Sequence, residues 1–204
     1  MKQWIKIACS ILILVCFSCA SHQSSECERI TNKITYQTAK KLRREKGLFL
    51  CGTGGGGTKN DIQRMSMAFH FYRPLAIEAF RSLLLYAVEE YLAAINGSEE
   101  VRPYLHNYPF TPKNIRIIIF LRNRDNSSLP PGEIDVAAAR FGEFVYSADD
   151  VEATKQGKSW SKKVHVETFE EAVQICRRQE KERSFSTQAT EDPSQSHPPL
   201  LSAQ

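Results

Sequence analysis

The chain has 204 residues, 42% of them apolar, with 27 basic against 23 acidic side chains and a formal charge of +4. That composition supplies one modest core and excludes both a multi-domain assembly and a chain too polar to fold. Lys2 and Lys6 supply part of the small basic excess, so the remainder is nearly neutral, which excludes a dedicated nucleic-acid binder.

The first twenty residues read as an export signal. Lys2 and Lys6 precede or flank an apolar run from Ile7 to Phe17, which ends in Ser18-Cys19-Ala20 before the composition turns polar. The run is too short for a span, which needs about 20 apolar residues. Two cleavages compete. One falls after Ala20, with Ser18 and Ala20 as the small residues. The other falls before Cys19 and leaves that cysteine for lipid attachment, although Phe17 and Cys16 make a degenerate lipobox. The pattern favours the lipoprotein form, held at a membrane through Cys19, over a periplasmic or secreted one.

Three further cysteines remain in the body: Cys27, Cys51 and Cys176. In an oxidising compartment they allow one disulfide, from any one pair, and one thiol left over. No CxxC spacing joins them, and His70, His106 and His165 lack the spacing that places two on one metal. No metal site and no cofactor is expected.

After a spacer at 20–25, residues 26–46 predict a helix with Ile30, Ile34 and Leu42 on one face and Gly47 as its stop. Its second half is basic, and Lys40, Lys41, Arg43 and Arg44 make either a solvated face or a contact with anionic lipid. Near such a surface each would add about 1 kcal/mol before screening. Gly47–Cys51 reads as a short buried strand running into the glycines Gly52 to Gly57. Asn60 and Gln63 then resemble a capping box, with Ile62, Met65, Phe69 and Tyr72 on one helical face until Pro74. Residues 74–96 are strongly helical, with Ile77, Phe80, Leu84, Val88, Tyr91 and Ile95 at three-to-four spacing and a left-handed end expected at Asn96-Gly97. Leu85 and Tyr86 fall off that stripe and require a second element to cover them. Pro103, Pro109 and Pro112 force an extended path. Strands follow at 114–122, 134–139, 143–146 and 163–166. A T-x-x-E box at Thr168 and Glu171 opens a last helix to about Arg183.

The glycine run is the one place with a suggestion of chemistry. Gly52, Gly54 and Gly57 satisfy G-x-G-x-x-G, and Gly55 and Gly56 complete the run, so a loop from strand to helix could cradle an anion. Consecutive glycines meet that pattern trivially. The acidic partner expected about 20 residues on falls at Glu78 inside a helix, and Thr58 stands where a phosphate loop needs lysine. A packing turn is the simpler reading, with an anion or a peptide backbone as the ligand if the run binds anything.

Cys51–Gly57, Tyr86–Asn96 and Val101–Asn114 together resemble an uncharacterised family of exported or lipoprotein-like proteins from chlamydia-related bacteria, over roughly residues 30–150. The resemblance implies bacterial export and carries no catalytic or binding residues.

The expected organisation is a signal peptide at 1–19, a polar spacer at 20–25, a single α+β domain at 26–183 and a disordered tail at 184–204. In that domain several helices (26–46, 60–96, 168–183) pack on a small, mostly antiparallel sheet drawn from 114–166. The expected function is that of an exported lipoprotein, a non-enzymatic binding or structural component of the envelope with an unidentified protein partner. The alternatives are a small exported enzyme or receptor that holds an anionic group on Gly52–Gly57, and a soluble secreted protein acting outside the cell.

Overall fold

The computed structural model describes residues 25–58, 60–157 and 161–190. The signal peptide, Cys19, most of the spacer and residues 191–204 lie outside them. Among the described residues the fold is α+β, with four α-helices and one six-stranded sheet.

Helix α1 (Glu26–Lys46) is bounded by both of its expected devices. The Ser25 hydroxyl accepts the Glu28 N–H at 3.2 Å, and Gly47 at φ 70° donates its N–H to Arg43 O. Acidic Glu26 and Glu28 in the first turn, and Arg43, Arg44 and Lys46 in the last, oppose the helix dipole.

Strands β1 (Phe49–Thr58) and β2 (Asp61–Phe71) then form an antiparallel hairpin. This overturns the expected helix at 60–73 and turns the expected glycine loop into a strand. The reason lies in the spacing. Met65 and Phe69 stand four apart, which suits a helix and a strand equally, but Met67 and Phe71 are also buried, so the burial period is two. Asn60 is a turn residue, and the Gln63 amide donates to the Asp61 carboxylate at 3.2 Å instead of capping a helix.

Helix α2 (Ile77–Asn96) crosses from β2 to β3 (Ile115–Leu121), which makes β2 and β3 the one parallel pair. Gly97 stays right-handed at φ −78°, not left-handed as expected. Asn96 closes the helix region differently. Its side chain donates to Phe110 O at 2.9 Å and accepts Phe110 N–H at 2.8 Å, which ties the proline-rich segment to α2. That segment contains two 3-10 turns, Arg102–Tyr104 and Pro112–Asn114.

From β3 the chain meanders antiparallel through β4 (Ile134–Arg140), β5 (Glu143–Asp149), a short helix α3 (Val151–Lys155) and β6 (Ser161–Thr168). Helix α4 (Phe169–Thr190) opens on the expected box, with Glu171 N–H donating to the Thr168 hydroxyl at 3.1 Å and Thr168 N–H to the Glu171 carboxylate at 2.7 Å. Its backbone runs past Arg183 to Thr190, so 184–190 are helical and not part of a disordered tail. Propagating an existing helix costs far less than nucleating one.

The sheet order is β1-β2-β3-β4-β5-β6, wider than expected because β1 and β2 join it. The core lies between the sheet and the layer α1–α2–α4. Ile115, Ile117 and Ile119 of β3 are fully buried there, as are Phe80, Leu84, Val88 and Tyr91 of α2. Each such side chain contributes about 1.5–3 kcal/mol by leaving water. Helix α2 sits between α1 and α4, which buries Leu85 and half-buries Tyr86, the two residues that required a covering element.

Candidate binding groove beside the glycine strand

Strand β1 is an edge. It pairs with β2 alone, and its register sets the face of each residue. Thr53 lies opposite Met67 and Gly55 opposite Met65, on the buried face toward α1. Gly52, Gly54 and Gly56 lie opposite Ala68, Ser66 and Arg64, on the other face. Because Gly55 and Gly57 raise no side chain toward α1, a groove of about 600 Å³ remains between that helix and the strand. Thr31, Asn32 and Thr35 of α1 line one wall, Thr53 and Thr58 the other, and Ile62 and Met65 the floor. Among the described residues Glu28 and Arg64 are its only charged ones.

The glycines are not equivalent. Gly57 sits at a bulge with φ 137°, where a Cβ would stand 2.0 Å from Asp61 O. A Cβ on Gly55 would approach Arg64 O to 3.0 Å. On Gly54 it would meet nothing within 4 Å, and on Gly52 only the Ala68 Cβ at 3.6 Å. The fold therefore requires Gly57, constrains Gly55 and leaves Gly52 and Gly54 without an internal reason. A glycine inside a strand weakens it, since it packs no side chain and loses the most entropy on ordering.

A phosphate-type cradle needs a helix N-terminus after the glycines. Here the strand β2 follows, so Gly52, Gly54, Gly55, Gly56 and Gly57 make no such loop.

The three thiols are all free, so no disulfide forms among Cys27, Cys51 and Cys176. Cys27 lines the groove and is buried, and Cys51 is exposed at the other bulge of β1. Burial raises the pKa of both thiols, which disfavours the thiolate that nucleophilic chemistry needs.

The basic end of α1 is largely engaged. Lys41 pairs with Glu90 at 2.5 Å and Arg44 with Glu45 at 2.9 Å, while Arg43 stacks on Phe49 at 4.8 Å and Lys40 stays exposed. These residues also stand about 21–27 Å along α1 from its N-terminal end.

One polar cluster was not visible in the sequence. Arg81 of α2 and Glu167 of β6 are 6% and 5% exposed, and the Arg81 Nε donates to both carboxylate oxygens at 2.7 and 2.9 Å. The Tyr146 hydroxyl donates to Glu167 at 2.7 Å, and His165 Nε2 lies 3.3 Å from it. Burial pushes the Glu167 carboxyl up, but the hydrogen bonds and charge of Arg81, with Tyr146 and His165, outweigh it and hold the group below its ordinary value. Burial and the Glu167 charge together drive the Tyr146 phenol well above its own. A separation of 86 residues, with no motif at either end, left no signal for this pair. It joins β6 to α2 and uses all of its members internally.

Among the described residues no group of His, Cys, Asp and Glu could hold a metal, and no helix is long and apolar enough to cross a membrane. No protein-family model, curated protein or solved structure matches the chain.

Proposed function

We propose that the chain is an exported protein of the cell envelope, tethered through Cys19, and that it acts by binding an extended polypeptide along β1. One observation carries this reading: an edge strand in which Gly52 and Gly54 have no internal steric role borders a hydroxyl-lined groove of about 600 Å³. In strand addition the guest pairs with edge backbone groups, and its alternate side chains enter pockets beside the strand. The groove's Thr and Asn lining suits small uncharged side chains. The raised thiol pKa values favour binding over nucleophilic chemistry. The leader and the resemblance of 30–150 to exported proteins support the location. Against an anionic guest stand the strand, in place of a helix, that follows the glycines, and Glu28 at the groove wall.

Selection of displayed random peptides of about eight residues, with the full chain as bait, tests the binding. Selected peptides should bind wild type and lose about tenfold or more in affinity on Gly54→Lys, which places a charge on the edge where no atom blocks it. Equal binding to both forms would remove β1 from the account. The tether has its own test, in which detergent phase partitioning moves the processed protein to the aqueous phase on Cys19→Ala. A wild type already in the aqueous phase would leave a secreted protein with the same groove.

A further inference from the structure

We infer a second ligand site, for a single-chain amphiphile with an anionic head, in the cavity where the C-terminal end of α1 meets α2 and the end of β2. The cavity encloses about 640 Å³, within the range of small-molecule sites. Its apolar wall comes from Phe49, Phe71, Leu75 and Leu83. Its polar side carries Lys46 and Arg73, and Arg183 of α4 also lines it. Those two cations sit on aromatic faces, with the Lys46 Nζ 4.2 Å from the Tyr86 ring centre and the Arg73 guanidinium 4.9 Å from that of Phe71. Neither forms an ion pair among the described residues. A ring face holds a cation in place without neutralising it and leaves N–H donors for a carboxylate or phosphate.

Among the described residues Glu45 is the one carboxylate at the cavity, and it is already engaged by Arg44. It accepts from the Tyr86 hydroxyl at 2.5 Å and from Arg44 at 2.9 Å, and these two bonds hold its pKa below the usual range. Phe49 stands 39% exposed at the mouth, with Arg43 on its face and Tyr72 against its edge. An exposed aromatic beside an apolar wall and two unneutralised cations fits a ligand with a hydrocarbon chain at one end and negative charge at the other. An inorganic anion would leave the wall wet, and a neutral lipid would leave the cations unused.

The test is titration calorimetry of the full chain with dodecanoate and dodecyl phosphate below their micellar concentrations. Ala79→Trp fills the cavity from an exposed helical position, and Lys46→Gln/Arg73→Gln removes the two ring-stacked cations of the three that line it. Melting curves first establish that both variants fold. At least one probe should bind wild type saturably, and each variant should weaken it about tenfold or more. Whichever probe binds more tightly names the head group. Binding that survives Ala79→Trp, binding indifferent to the loss of both cations, displacement by equal inorganic phosphate, or no saturable binding of either probe would each overturn the site.

Discussion

Strands β1 and β6 both end the sheet, and each leaves a row of backbone groups with no strand beside it. β6 carries Lys162, Lys163 and His165, exposes Val164 and Val166 beside them, and is fastened to the helix layer through Glu167 and Arg81. β1 carries five glycines, no charge and no fastening ion pair. Charge on an edge strand is a common defence against pairing with other chains. The comparison teaches that this fold guards one edge and leaves the other bare, and the bare edge is the one bordered by a groove.

Breaking the guarded edge should cost the most. Arg81→Leu leaves Glu167 buried without its guanidinium, with Tyr146 and His165 as its remaining partners, and a loss of about 3–5 kcal/mol in denaturant titration is expected. A loss under about 1 kcal/mol would mean that β6 is held by its apolar neighbours alone. Gly57→Ala should cost more than about 2 kcal/mol, since it puts a Cβ onto Asp61 O at a positive φ. If its melting temperature matched wild type, the bulge would not be the constraint described here.

Acid separates the edges next. The carboxyl of Glu167 is held below its ordinary value in the folded state, so its pairing stabilises the protein above the unfolded-state pKa, about 4.3. That contribution is lost as pH falls through the lowered folded value. Wild type should therefore lose stability on acidification more steeply than Arg81→Leu. Parallel acid limbs would show that the pair contributes nothing there. The smallest effect belongs to the bare edge, where Gly54→Ala should change stability by no more than about 0.5 kcal/mol. A clear loss would reveal an internal role for that glycine.

How far the sequence spoke follows the range of the interactions. Local devices were legible: the Gly47 cap, the Thr168–Glu171 box, the stripe of α2, the alternation of β3. So was the need to cover Leu85 and Tyr86. Residues 61–71 were misread because Met65 and Phe69 fit both periods, and only pairing with β1 and β3 decides between them. The glycine run attracted notice in the sequence, but its status as an edge depends on which strand lies beside it. Arg81 with Glu167, and the cations over Tyr86 and Phe71, arise from contacts between distant elements that no short pattern encodes.

Amide hydrogen exchange of the full chain, with and without a saturating peptide selected against it, tests the central claim most directly. The account predicts that β1 amides lying outward from β2 slow by about tenfold or more on binding, while those of β6 do not change. Protection confined to β6, or protection absent from β1, would contradict it.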